Sequence, residues 1–504
     1  MRRSDGRLNA PAWLGVSIST SWRDYDPAVV EEELALLRAH GLNLTRSFPL
    51  WPDFHPKPDR LDKTMLQRYE DLLDRHAAQG MATVSTLLSG EPSWCGGRDP
   101  YRDVWLVARQ AWHVRELTAR FADHPAVAGW LLEAPARDGE VLESWAQLMI
   151  DAVRAGGARQ AVSLDHGHDP RRLAAIVDWT CPQASDDDPL GVAFACELAR
   201  LGGQPVVLND LGAGSDHFCR LVLHATLLAG ATGWLAPNAP SKPQLLEMTR
   251  FADTLTEIDF DRCERLPVDT ALVVSAAVDR WSYVAARQAD LALGFEHEAD
   301  GIAEGYLLYL VPSTARPAAA SWRRLAALAE QGATVYASHP EPDEMFGVEN
   351  QRRYGRPHPV STGPVRFTFR TDFAGLHAGD ELVFDAGHTY LPVRPVSAEV
   401  VAVDDEGNPA LLVKRHGAGR LVLCTYPLEQ MANAYRLYDA LAEAAEVYRP
   451  VAVPDPRILV DGLRHADGRE WYCLLNLSPD RVTARPGATL PPYGVEWLSC
   501  GRRQ

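Results

Sequence analysis

The sequence predicts an α/β chain built around a (β/α)₈ barrel, and three observations carry that prediction. Short apolar runs alternate with amphipathic helices through the first 260 residues, the pattern of parallel βαβ units. Two of those runs, Gly129-Trp-Leu-Leu-Glu133 and Pro205-Val-Val-Leu-Asn-Asp210, end in a carboxylate, as strands do at the C-terminal rim of a barrel. Near Leu266 the pattern restarts as a smaller α/β unit and then turns β-rich.

The eight expected barrel strands are Leu14–Ser17, Leu42–Ser47, Ala82–Leu88, Ala128–Leu132, Ala161–Leu164, Val177–Thr180, Val206–Asn209 and Gly233–Ala236. Between the first two, a helix over Pro27–His40 opens with proline in its first turn after Asp26, and Val30, Leu34 and Leu37 share one face. A second helix, Arg60–Gln79, repeats Leu61, Met65, Tyr69, Leu72 and His76 at helical spacing, and Gly80 stops it. Asp188 before Pro189 caps the helix that follows it, and Ser215 or Asp216 caps the next. Gly212-Ala-Gly-Ser215 lacks the Gly-Lys of a phosphate loop, so turn chemistry accounts for it better.

The expected domains are a barrel over 1–262, a flavodoxin-like unit over 263–352, its β-rich extension over 353–450 and a small antiparallel β domain over 451–504. The second rests on Thr270–Ser275, Tyr306–Ser313, a helix at Ser321–Gln331 and Gly332–Ser338, a doubly wound pattern. No cysteine lies between Cys263 and Cys424, which excludes a thiol-based amidotransferase on that unit. The extension rests on the runs Val365–Phe369, Glu399–Val403 and Arg420–Thr425 with a helix at Ala432–Glu446.

A net charge of −17 argues against general affinity for nucleic acid or an anionic membrane. The eight cysteines show no Cys-x-x-Cys spacing, so neither a zinc ribbon nor a disulfide framework is indicated, and a reduced compartment is expected. Arg2 and Arg3 are followed by polar residues instead of an apolar stretch, and the longest apolar run, Gly305–Pro312, is too short to span a bilayer. These readings give a cytoplasmic protein with no metal or cofactor.

Trp22-Arg-Asp-Tyr-Asp-Pro27, Leu44-Thr-Arg-Ser-Phe-Pro-Leu-Trp-Pro-Asp53, Gly129-Trp130, Pro205-Val-Val-Leu208 and Leu228-Ala-Gly-Ala-Thr-Gly-Trp234 together resemble bacterial clan A glycoside hydrolases, most nearly the family 5 enzymes similar to β-mannosidases. The layout of barrel, flavodoxin-like module and β domain is similar to that of family 42 β-galactosidases, whose middle module helps build a trimer. The resemblance implies a carbohydrate-like ligand, a homo-oligomer (trimer or dimer) and a retaining mechanism with two glutamates. The acid/base would follow Asn after strand 4, and the nucleophile would follow strand 7. Such a pair stands roughly 5–5.5 Å apart, so that one carboxylate attacks the anomeric carbon while the other protonates the leaving oxygen.

This sequence departs at both places. After strand 4 it reads Glu133-Ala-Pro135 without the asparagine, and after strand 7 it offers Asp210, one methylene short, so that the carboxylate retreats by roughly 1.5 Å. The tyrosine expected after strand 6 is missing, and several rim loops are short. Glu133 and Asp210 are the candidate catalytic pair. Arg46 matches a position where the family uses arginine to hold the nucleophile. Candidate binding residues beside it are Trp51, Asp53, His55, Glu91, His166, His168, Asn209 and Trp234, with Glu91 the substitute should Glu133 be misplaced. The His166-Gly-His168 pair would need further ligands to hold a metal.

Three readings of function stay open. The first is a remodelled glycosidase scaffold acting on a small molecule, glycosylated or not, by a reaction other than ordinary hydrolysis. The second is a retaining β-glycosidase using Glu133 and Asp210, and the third a pseudoglycosidase kept for binding or assembly.

Overall fold

A computed structural model describes residues 12–500 apart from 135–139, 166–169, 184–187, 212–213, 276–279, 341–343, 352–359, 362, 386–387, 450, 452, 454 and 486–487. The chain folds as two compact units, Met1–Arg265 with Arg464–Arg469, and Leu266–Leu463 with Glu470–Gln504. Among the described residues no helix is long and apolar enough to cross a membrane.

The first unit is a parallel sheet of seven strands: β1 (Trp13–Ile18), β2 (Leu44–Ser47), β3 (Ala82–Leu87), β4 (Val127–Glu133), β5 (Ala161–Asp165), β6 (Val206–Asn209) and β7 (Ala231–Ala236). They lie in the order β5-β4-β3-β2-β1-β7-β6. Helices alternate with them: α1 (Pro27–Ala39), α2 (Trp51–Phe54), α3 (Lys63–Ala78), α4 (Val104–Phe121), α5 (Glu140–Ala155), α6 (Pro170–Leu173), α7 (Pro189–Arg200), α8 (Asp216–Leu228) and α9 (Lys242–Glu257). The caps form as the sequence indicates. Asp26 accepts from the Ala28 amide, Asp188 from that of Leu190 and Ser215 from that of Phe218. The helix expected from Arg60 instead starts at Lys63, because the Asp62 side chain takes the Thr64 and Met65 amides. Leu66 replaces Met65 on its buried face.

The run Val177–Thr180 is not a ladder strand, which corrects the expectation of eight regular strands. The Asp178 amide donates to Val162 of β5 (2.8 Å), while parallel bridges Thr180–Val206 and Gln183–Asn209 join the segment to β6. It therefore lies between β5 and β6 and completes a ring of parallel neighbours. Two residues account for its irregularity. The Asp178 carboxylate takes the Val162 amide (2.9 Å) that a ladder carbonyl would take, and Pro182 has no N–H to donate. Inside the ring Trp13 meets Trp179 edge to face, 5.8 Å between centroids, among Leu44, Val84, Leu131, Val207 and Leu235. Gly129 makes room for that indole, since a Cβ there would stand 2.8 Å from the Trp179 ring.

In the second unit one sheet of nine strands runs Leu293–His297, Thr270–Val274, Leu308–Val311, Thr334–Ser338, Gly419–Cys424, Pro409–His416, Glu399–Val403, Val365–Phe369, Glu381–Phe384. The first five are mutually parallel and the remainder antiparallel. Ile458–His465, Glu470–Asn476 and Val495–Cys500 are consecutive neighbours in a further sheet, the last two antiparallel.

One carboxylate in this unit opposes its own burial. Asp290 sits in the left-handed region (φ 57°), its Oδ2 accepting the Val453 N–H at 2.6 Å while Oδ1 is buried without a partner among the described residues. Burial pushes its pKa up to about 7, against the pull of the Val453 N–H and of Arg287 and Arg449. The folded state thus holds a proton that the unfolded chain releases, so this group's contribution falls as pH rises from about 4 to about 7. Asp290→Asn keeps the acceptor and tolerates the left-handed backbone. It is expected to stabilise this unit by roughly 2 kcal/mol at pH 8 and progressively less toward pH 5 in denaturant melts. An equal effect at both pH values would contradict the assignment.

Candidate functional site

Strand register decides which side chains face the interior of the first unit. Gly15 pairs with Leu44, Ser17 with Arg46 and Arg46 with Val84. Leu131 pairs with Ser163, and Asn209 with Leu235. Side chains alternate along a strand, so Leu44, Arg46, Thr86, Leu131, Glu133, Asn209 and Leu235 share the inward row with Trp13 and Trp179. Apart from Leu235 of β7, the inward positions nearest the strand C-termini in that row, Arg46, Thr86, Glu133 and Asn209, are polar.

Arg46 is the centre of that end. It is 6% exposed, so its guanidinium lies inside the ring of strands and not on the surface. Its Nε donates to Thr86 Oγ1 at 2.8 Å and Nη1 to Asn209 Oδ1 at 2.9 Å. The Phe48 ring lies against it, 4.7 Å from Cζ to the ring centroid. The sequence reading expected Arg46 to hold the nucleophile position, matched by Asp210; the bond from its Nη1 goes to the preceding residue, Asn209. Asp210, the next residue, turns into the left-handed region (φ 56°) and is exposed. Glu133 occupies the last ladder position of β4, partly buried, and pairs in register with Asp165 of β5.

The other candidates fall in different places. Trp51 opens α2, His55 follows its last residue, and both are buried (3% and 0% exposed), the indole Nε1 donating to His55 Nδ1 at 3.1 Å. They belong to an aromatic cluster beneath the rim in which His55 stacks on His113, rings 5.3 Å apart and 5° from parallel. Burial, more than the nearby Arg109, lowers the His55 pKa; burial and then His55 hold His113 well below the usual range. Asp53 is engaged by Arg23 at 2.9 Å. Glu91 is exposed on the loop after β3. His166 and His168 lie outside the described residues. Among the described residues no three His, Cys, Asp or Glu side chains gather as a metal site.

Trp234, expected as a binding residue, does not face the interior. It points outward from β7 into the helices, 0% exposed, its Nε1 donating to Thr226 Oγ1 of α8 (2.9 Å) and its ring on Phe251 of α9 (4.8 Å). Gly233 and Leu235 take the inward positions on either side of it. Thr86 and Phe48, both adjoining Arg46, escaped the sequence reading. Phe48 lies two residues beyond Arg46, just past the end of β2, and that spacing was the available signal.

No protein-family model matches the sequence, and no curated protein matches it. Solved structures do. The chain is similar to the cold-adapted β-galactosidase from Rahnella sp. R3, 13% identical over 98% of both chains with a TM-score of 0.77. It is similar to a GH42 β-galactosidase from G. stearothermophilus, 13% identical over 99% of both chains with a TM-score of 0.77. The exo-β-1,4-mannosidase from Opitutaceae bacterium strain TAV5 is 18% identical, covering 89% of this chain and 100% of its own, with a TM-score of 0.67. At these identities what is shared is the fold: this chain has the fold of glycoside hydrolases along nearly its whole length.

Proposed function

We propose that the C-terminal end of the first unit, read as a closed (β/α)₈ barrel, binds a small carbohydrate-like or glycosylated molecule and acts on it by a reaction other than ordinary retaining hydrolysis. Glu133 serves as the proton-transferring carboxyl and Asp210 as an anionic site residue. The observation that carries this reading is at β6. The inward place beside Arg46 is taken by the amide of Asn209, while the under-length carboxylate of Asp210 follows in a left-handed turn. A nucleophile displaced on that scale loses on the order of a hundredfold in rate.

We also read the five parallel strands of the second unit as flavodoxin-like, because their spatial order is 2-1-3-4-5 in chain sequence. The antiparallel strands after them are read as its extension and a C-terminal β domain, and the whole as a cytoplasmic homo-oligomer. The oligomer is testable by light scattering.

The test of function is turnover of aryl β-mannoside and β-galactoside. Wild type is expected below about 0.1 s⁻¹, a hundredfold under a typical enzyme, and a saccharide-induced melting shift is expected to vanish in Arg46→Ala. Brisk hydrolysis abolished separately by Glu133→Gln and by Asp210→Asn would establish the retaining β-glycosidase instead. A melting shift indifferent to Arg46 would leave the scaffold without a site at this end.

A further inference from the structure

We propose that His55 and His113 form a proton-operated latch, which holds segment 51–60 closed while both imidazoles are neutral and releases it when they take up protons. The latch is a conformational device of the fold and does not depend on what the site binds.

Both rings are 0% exposed and lie parallel, 5.3 Å apart, one just after α2 and the other in the middle of α4. Three indoles close around them. The rings of Trp94 and Trp112 stand 4.9 and 5.0 Å from His55, and that of Trp51 stands 6.1 Å from His113. Among the described residues neither nitrogen of His113 has a hydrogen-bond partner, although a neutral imidazole always carries one N–H. His55 Nδ1 accepts the Trp51 indole N–H, so its own hydrogen is on Nε2, which is enclosed and equally without a partner. Each stranded N–H is a cost to the closed state, and a charge in the same place costs far more.

The charged groups that face the pair do not offset that cost. Burial pushes His55 below the usual histidine range; Arg109, one turn before His113 on α4, adds to this, while the Pro58 carbonyl and Asp59 oppose it. The Pro58 carbonyl is also held by Arg109 Nη1 at 3.2 Å. Burial and then His55 hold His113 lower still. On the Ser93–Cys95 turn, burial raises the Cys95 thiol to about 11, so it brings no charge. Opening returns each imidazole to its ordinary value near 6.5, so the open form takes up protons first and is favoured as pH falls below that value. Segment 51–60 is the part that yields. Its one helix, α2, has four residues, whereas α4 is seated by Leu106, Val114, Leu117 and Phe121, each 2% exposed or less.

Hydrogen exchange read by mass spectrometry on the full chain at pH 7.5, 6 and 5, corrected for the intrinsic pH dependence of exchange, tests the latch. Protection of peptides covering 51–60 is expected to fall about thirtyfold between pH 7.5 and 5 for one proton gained on opening, and further for two, while β1 keeps its protection. His55→Phe and His113→Phe retain a flat ring without its titration. Each should reduce the fall, and the two together should abolish it. Protection independent of pH in wild type, a fall as large in the double variant, or loss at 51–60 only in step with β1 would overturn the latch. The wild-type profile decides by itself should the variants fail to fold.

Discussion

Arg46→Ala is expected to destabilise the first unit by roughly 3 kcal/mol, the largest single loss among the residues at this end. The arginine is enclosed, and its Nε and Nη1 supply Thr86 Oγ1 and Asn209 Oδ1 with hydrogen bonds from a charged donor. Removing it strips a charge-assisted donor from an enclosed amide oxygen and also opens a cavity along the missing side chain. Arg46→Met keeps most of the stem volume and isolates the polar loss, with an expected cost of about 2 kcal/mol. Arg46→Lys keeps the charge but not the planar fork, and cannot reach both acceptors in the same geometry. It should therefore fall between the other two. Urea unfolding followed by tryptophan fluorescence reads this, since most of the tryptophans lie before residue 266. An Arg46→Ala variant as stable as wild type would show that the guanidinium is hydrated and not anchored by Asn209.

How far the site could be read from sequence depended on which face a strand residue takes. A strand buried on both sides is apolar on both, so its inward row carries no compositional mark. Trp234 shows the consequence: its position after an apolar run fits a rim residue, and only pairing with β1, which sets Trp13 beside Gly233, shows that it faces the helices. Arg46 was readable through the resemblance, which places an arginine at the end of the second strand. β1 and β4 were readable for the same reason that their faces were not: each is a nearly continuous apolar run between turn signals. The irregular segment at Val177–Thr180 was hidden because its apolar residues match a strand, while the residues that break the ladder, Asp178 and Pro182, act through their backbone partners. Asp210 could have been flagged as a turn, since Asp tolerates the left-handed region and precedes Leu-Gly. The cluster of Trp51, His55 and His113 joins residues from two separate helical segments, which no local pattern reveals.

Acidification between pH 6.5 and 4 is expected to weaken the first unit through two buried histidines. His76 on α3 donates from Nδ1 to the Leu72 carbonyl at 2.8 Å, which leaves Nε2 as the acceptor for Thr45 Oγ1 at 2.7 Å. Thr45 is in turn 3.0 Å from Thr83 Oγ1, so a neutral imidazole closes a hydroxyl network between sheet and helix. His224 on α8 donates from Nδ1 to the Arg220 carbonyl at 2.9 Å and packs edge-on against Phe251. Burial lowers each pKa to about 4. Because both folded values lie below the unfolded value near 6.5, the unfolded chain takes up the protons first as pH falls. Each histidine's contribution is intact above pH 6.5 and is lost progressively down to about pH 4. Each adds up to about 1.4 kcal/mol per pH unit to the slope of stability, or roughly 3 kcal/mol over the interval. Carboxylates also titrate near its lower end, so the slope alone does not identify the source. His76→Gln and His224→Leu do, since each removes one titrating group. Each variant should flatten the slope between pH 6.5 and 5 by up to about one proton, whatever its effect at pH 8. A slope unchanged in both would mean that these imidazoles are protonated in the folded protein, and the Thr45–His76 contact would then have to run in the opposite direction.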